Sequence, residues 1–414
     1  MHDNALSSAL AEQGWNIQLV PTYTPIRTDE ENVSVDQVLF GGINIYLQQK
    51  IPLLRYAPSI VDRFLDSPWL IRKVTSRAME TDAKMLGKLA YSMLLGSEGN
   101  QRKSVRRVCH WLNLQKPDLI IFSNILIGGC IEDIKRQLDV PVLVTLQGDD
   151  VFLDSLKEPY KSQCIDRIKK IVGSVDGFIV QSDFFRDYMS EYFSIDKAKI
   201  HVTPLGLDVT DFTRFLESDP NKESRKTKTI GYMARLAKEK GLHHLISAFI
   251  ELKSKPNTDH VKLKIAGWLS PENDSYANEQ WQRLEASGLA SEYEYLGSIE
   301  RDVKLEFFDQ IDVLSVPTEF QEPKGLYALE ALAAGVPIIV PAHGAFVDLI
   351  KQSGGGVLFK PGDALELASR LLEMLTDHHR RNELGKQGQR FVHEQRNSNS
   401  MATATSQLIK MFVG

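Results

Sequence analysis

The sequence predicts an α/β protein of two doubly wound domains, and three observations point there. Short β-branched runs alternate with helix-period stretches along almost the whole chain of 414 residues. That alternation implies parallel sheets covered by helices on both faces. The runs fall into two sets. Between the sets lies FTRFLESDPNKESRKTKT (212–229), a polar stretch with one proline and no apolar period, which reads as a linker.

In chain order, MHDNALSSALAEQG has the pattern of an amphipathic helix, carrying Asp3 and Glu12, and not that of a signal peptide. Buried strands are then expected at NIQLVPT, DLIIFS, VPVLVTL and DGFIVQS. The second set is KTIGYMA, VKLKIAG, YEYLGS, DVLSVPT, VPIIVPA and GGVLFKP. The tail, SMATATSQLIKMF, is a helix pattern. The expected organisation is a first domain over 1–210, a linker over 211–227, a second domain over 228–395 and a final helix over 396–414.

Composition narrows the function classes. The chain is 43% apolar and 25% charged, with a net charge of −5, so nothing global favours a nucleic-acid partner. Cys109, Cys130 and Cys164 have no metal-ligand spacing and read as reduced thiols of a cytoplasmic protein; no metal ligands are expected. The longest uncharged run, LIIFSNILIGGCI (119–131), is shorter than the roughly 20 residues of a membrane helix. A basic run, QRKSVRRVCHWL (101–112), is either a solvated helix face or a weak contact for an anionic membrane surface.

Ligands of open α/β sheets sit at the carboxyl ends of the strands. After KTIGYMA, Arg235 and Lys240 flank a turn, and Gly241 opens a helix. Two cations beside a helix N-terminus suit a diphosphate, or they are two solvated charges. After DVLSVPT comes EFQEPKGLYALEAL, where Gly325 permits a sharp entry into a helix beginning at Leu326. Glu322 lies in the loop before that helix and Glu330 too far along it to cap it. Such carboxylates can each accept two hydroxyls of a ribose or hexose, or they are a solvated pair.

These motifs in this order resemble the retaining glycosyltransferases of the GT-B fold, family four. That family shows a strand followed by R-L-x3-K-G, later L-G, then P-(S/T)-x-x-E and E-x7-E with a central glycine. Here they stand as RLAKEKG (235–241), LGS (296–298) and VPTEFQEPKGLYALEALAAGVPIIV from 316. The resemblance implies two Rossmann-like domains facing across a cleft, with the last helix crossing back so that Leu408, Ile409 and Phe412 meet the first domain. It implies transfer of a hexosyl unit from a nucleotide-diphosphate sugar, with retention and without a metal or other cofactor, to an unidentified carbohydrate, lipid or small-molecule acceptor. A sugar-nucleotide-binding protein without catalysis, or an epimerase or phosphorylase of the same fold, is the alternative.

By the same resemblance, Arg235 and Lys240 are the diphosphate clamp and Glu322 lies beside the transferred sugar. Glu330 holds the ribose, the amides of Gly325 and Leu326 approach phosphate and sugar, and Ser298 and Ile299 meet the base. PAHGA (341–345) forms the next loop, and HVTPLGLDVTDF (201–212) resembles the family's P-x-G-(V/I/L)-D stretch. TLQGDD (145–150) falls where many members have T-x-H, so Gln147 replaces a histidine and cannot serve as acid or base. Asp149 and Asp150, which follow directly, are either acceptor ligands or helix caps. DNALSSAL, PTYTPIRTDE, FGGINIYLQQ and TLQGDD together resemble one subgroup, in which Gly41 and Gly42 form a tight turn lining the acceptor cleft.

In the resembling proteins a strand and a glycine-rich loop precede the helix with which this sequence opens. Their absence here predicts a natural protein with a longer N-terminus, a gap or widened spacing beside strand NIQLVPT, and Met1 near the cleft; a short form that binds without transfer is the alternative.

Overall fold

In the computed structural model, the structure describes residues 2–22, 32–35, 83–217 and 225–414. The chain divides into two compact units, Met1–Pro204 with Ala402–Gly414, and Leu205–Met401.

The first unit holds a parallel sheet of β1 (Ile120–Phe122), β2 (Val142–Thr145), β3 (Gly177–Val180) and β4 (Ile200–Val202), in that order. The register pairs Ile121 with Leu143, Val144 with Phe178 and Ile179 with His201. Successive strand side chains point to opposite faces, and the packing follows. Val142, Val144, Phe178 and Val180 join Val105, Val108, Ile168 and Ile171 in one core. Leu143 and Ile179 turn the other way and pack with Leu408 and Phe412 of the helix Ser398–Val413. Ile409 of that helix joins Ala9 and Leu10 of the N-terminal helix His2–Glu12. Trp15 Nε1 donates to Ser406 Oγ at 2.8 Å. Burial of a leucine such as Leu408 contributes on the order of 2 kcal/mol.

The second unit's parallel sheet comprises β5 (Lys228–Met233), β6 (Val261–Ala266), β7 (Tyr293–Tyr295), β8 (Val313–Ser315), β9 (Ile338–Pro341) and β10 (Gly356–Phe359). Its order is β10-β9-β8-β5-β6-β7. The chain runs outward from β5 through β6 to β7, then returns to the other side of β5 for β8. The connections therefore diverge between β5 and β8, and a crevice opens at the carboxyl ends of those two strands.

Three expectations need correction. NIQLVPT forms no strand: only Leu19 bridges, to Ser34, while Asn16 and Gln18 are exposed and Ile17 and Leu19 half-buried. Beyond that bridge, in which Leu19 O accepts the Val35 amide at 2.9 Å, it has no ladder partner among the described residues. β4 was not foreseen, being three residues long and closely followed by Pro204. The unit boundary lies at 204/205, and Asp211–Phe215 is a short helical turn of the second unit, not a linker. Phe212 explains this, because it is buried with Phe308 and Leu305. Arg301 adds ion pairs to Asp208, at 3.8 Å, and to Asp211. Met1 lies outside the described residues.

The basic run lies on the helix Arg102–Gln115, with Val105, Val108 and Leu112 buried and Arg102, Arg106 and His110 exposed. The three cysteines are free and buried. Among the described residues, no helix is long and apolar enough to cross a membrane.

Candidate functional site

The crevice between β5 and β8 is built by two loops held against each other. The first, 234–241, leaves β5; the second, 316–325, leaves β8. Glu239 O accepts the amides of Glu319, at 3.0 Å, and of Phe320, at 3.3 Å. Gly241 sits at the contact with φ +71°, and a Cβ there would lie 1.8 Å from Pro317 O. Only glycine meets both conditions. A third loop joins at Gly267, after β6, where a Cβ would lie 1.8 Å from Ala234 O. The Gly267 amide donates to Gly297 O at 2.8 Å, which brings in the loop after β7.

These contacts gather the second-unit residues named from the sequence into one set of loops. Lys240 Nζ lies 2.6 Å from Glu322 Oε2 and about equally far, 5.7 and 5.8 Å, from the ring centres of Phe320 and Tyr327. Tyr327 Oη donates to the same carboxylate oxygen at 3.2 Å. Burial, then the Glu322 charge, raises the Tyr327 pKa well above its ordinary value, so it remains a donor. Arg235 is exposed and pairs with Glu239 at 2.8 Å. Gly325 (φ +64°) caps the helix Leu326–Ala333, and its carbonyl accepts the Ala328 amide at 2.9 Å, which leaves the amides of Leu326 and Tyr327 ahead of the first helical bond. Glu330 is buried in that helix and takes Lys304 Nζ at 3.0 Å. Ser298 is exposed and Ile299 half-buried in the loop after β7. The 341–345 loop closes over Glu322, whose carbonyl accepts the Ala345 amide at 2.8 Å.

Sequence reasoning missed several neighbours. Tyr327 and Lys304 read as ordinary helix residues. Trp268, 54% exposed, follows β6, and its carbonyl accepts the Leu236 amide at 2.9 Å. An aromatic residue immediately after an expected strand was the signal available for it.

At the carboxyl end of the first unit's sheet, Asp149 is buried and fully engaged. Its two oxygens accept the Ile125 amide at 3.1 Å and the Gln147 amide at 2.9 Å. Burial outweighs these bonds and lifts its pKa to about 6. Gln147 Nε2 donates to Ser123 O, so both residues tie the loop after β2 to the loop after β1. Near them lie further buried polar groups, of which the sequence pointed to Asp150 but not to Gln181 or Thr203. Asp150 follows β2, Gln181 follows β3 and Thr203 follows β4, each less than a tenth exposed. Among the described residues, Asp150 Oδ1, both polar atoms of the Gln181 amide and Thr203 Oγ1 have no hydrogen-bond partner. Burial also raises the Asp150 pKa. Gly41 and Gly42 lie outside the described residues.

Comparison with known proteins agrees with this architecture. Residues 214–391 match the family Glycosyl transferases group 1, and residues 90–211 match Glycosyltransferase Family 4. An uncharacterized glycosyltransferase of Methanocaldococcus jannaschii is 25% identical over 240 residues, 56% of this chain and 59% of the relative. The D-inositol 3-phosphate glycosyltransferase of Corynebacterium jeikeium is 25% identical over 224 residues, 53% of each chain. The chain thus spans little more than half the length of these curated relatives. Among solved structures, sucrose-phosphate synthase from Thermosynechococcus elongatus superposes with a TM-score of 0.67 at 19% identity, over 98% of this chain and 91% of that one. Anabaena Alr3699/HepE in complex with UDP-glucose gives 0.64 at 14% identity, over 95% and 99%. At such identities the likeness is one of fold.

Proposed function

The chain belongs to the glycosyltransferases and has the GT-B fold; from that premise we propose that it moves a hexosyl unit from a nucleotide-diphosphate sugar to an acceptor hydroxyl, with retention. The observation that carries this is the Lys240–Glu322–Tyr327 cluster at the crevice between β5 and β8, beside a helix N-terminus. Lys240, Arg235 and the amides of Gly325 and Leu326 take the diphosphate, and the helix dipole adds to their field. Charge develops on the leaving phosphate, so donors fixed before the reaction stabilise the transition state most. Glu322 holds Lys240 in place and accepts hydroxyls of the transferred sugar. Glu330 accepts the ribose hydroxyls, Ser298 and Ile299 meet the base, and the exposed Trp268 gives it a stacking face.

In this reading the bond from the anomeric carbon to the phosphate oxygen breaks. The acceptor oxygen bonds to that carbon on the same face, and its proton passes to the departing phosphate. No side chain need act as base, which suits Gln147 at the family's usual histidine position. The reaction requires no metal. HepE, in complex with UDP-glucose, supports a uridine donor as the first to try. The unpartnered atoms of Asp150, Gln181 and Thr203 suit a polyhydroxylated acceptor.

The test is a panel of nucleotide sugars, reading nucleoside diphosphate release and, by NMR, the anomer of the product, with and without a chelator. Transfer with retention, unchanged by chelation, is expected. Saturable donor binding without release across an acceptor panel would favour the non-catalytic alternative, to which Gln147 lends itself.

A further inference from the structure

A cluster outside the donor chemistry lies on the second unit's loops. His243 and His244 open the helix Leu242–Lys253. Each places its Nε2 3.1 Å from one oxygen, Glu319 Oε1. The two rings are 4.0 Å apart and tilted by 42°. One ligand atom from each of the three side chains lies within 4.8 Å of the other two. Tyr276 Oη sits behind, 2.9 Å from His243 Nδ1, and accepts the His243 amide at 3.1 Å.

We propose that His243, His244 and Glu319 bind one divalent transition-metal ion of the zinc, cobalt and nickel class. Imidazole nitrogens with a carboxylate oxygen suit these ions, whereas calcium and magnesium prefer oxygen alone. Both imidazoles present Nε2 toward the same point. The phenol oxygen of Tyr276 can accept from His243 Nδ1–H, the tautomer that leaves Nε2 free to coordinate. Such a partner behind a ligating histidine is a regular feature of metal sites. Three protein ligands leave a coordination position for water.

The ion would be a brace. Glu319 belongs to the loop after β8, while the histidines begin the helix after the β5 loop. Coordination would join the two loops that backbone bonds from Glu319 and Phe320 to Glu239 already hold together. The site stands on its own ligands and does not depend on the donor reading.

The test uses the full chain, stripped with a chelator and titrated with cobalt(II), following visible ligand-field absorption; zinc(II) is followed by thermal shift. One saturable site is expected, with a rise in Tm on binding. Glu319→Gln, at an exposed position, should fold normally and bind at least about tenfold more weakly, and Tyr276→Phe roughly 10- to 100-fold more weakly. The adjacent exposed pair His378 and His379 is an internal control. A His378→Gln, His379→Gln double variant should bind as the parent does. Absence of saturable binding, or binding that survives Glu319→Gln and is lost in that double variant, would overturn the proposal.

Discussion

The two parallel sheets end differently. Where the second unit's strands finish, buried carboxylates meet half-buried lysines: Glu322 with Lys240 at 2.6 Å, and Glu330 with Lys304 at 3.0 Å. Where the first unit's strands finish, Asp150, Gln181 and Thr203 keep buried polar atoms without partners among the described residues. An ion pair can exchange one partner for a ligand group and remain balanced. An orphaned buried polar atom costs about 1–3 kcal/mol until something hydrogen-bonds to it. The first arrangement suits an anionic ligand carrying hydroxyls, and the second a neutral one.

The largest effect is expected from Gly241→Ala. The backbone strain of a positive φ, about 1–3 kcal/mol, would combine with a Cβ 1.8 Å from Pro317 O. The loops carrying Lys240 and Glu322 must part to admit it. Nucleoside diphosphate release should fall by more than about two decades. Near-normal release would show that the matched charges do not depend on that contact.

Lys240→Ala comes next. Loss of a charge-assisted bond of about 1.5–3 kcal/mol should slow turnover by roughly one to two decades. It also leaves the buried Glu322 carboxylate with Tyr327 but without its cation. Adding Glu322→Gln should recover part of the lost stability, with a coupling of about 0.5–3 kcal/mol in a urea-unfolding cycle. Strict additivity would mean that the pair is not balanced as its geometry implies.

How far the sequence carried this contrast differs between the two sides. The second unit's site was legible because its residues follow strands at short, local spacings: RLAKEKG after one, EPKGLYALE after another. Their partners were not legible. Lys304 lies 26 residues before Glu330, and Glu319 lies 75 after His244; only the sheet order brings such pairs together. Of the first unit's buried polar groups, Asp150 was legible from TLQGDD, whereas Gln181 and Thr203 each follow a different strand with no local pattern to mark them. NIQLVPT failed for the converse reason: its apolar run satisfies the strand pattern, but a strand also needs a neighbour. Asp149 was legible as a position, and its two backbone bonds were not.

Asp149 gives a smaller, pH-dependent effect. Its folded pKa of about 6 lies above the ordinary carboxylate value of 3.8, so the native chain binds more protons between those limits. This contribution is present in full below about pH 4 and is lost as pH rises through 6, amounting to about 2–3 kcal/mol. Asp149→Asn should remove that part of the slope in urea titrations from pH 4 to 7. An asparagine presents one oxygen to two backbone amides, so a fixed loss of about 1–3 kcal/mol should remain. An unaltered slope would assign the titration to another group.

The smallest effect in magnitude, and the one that separates the two regions by sign, is Gln181→Met. Methionine matches the unbranched shape of glutamine and adapts to irregular space. It removes two buried polar atoms that have no partner among the described residues. Removing a satisfied buried amide would strand the groups it had bonded; removing an orphaned one strands nothing. The urea midpoint should therefore stay level or rise, by up to about 1 kcal/mol in stability, while Lys240→Ala lowers it. If the amide exists to meet an acceptor hydroxyl, the acceptor KM should increase while donor binding is unaffected. A destabilised Gln181→Met chain would mean that the amide is already satisfied in the folded protein, and the first unit would lose its claim to a ligand.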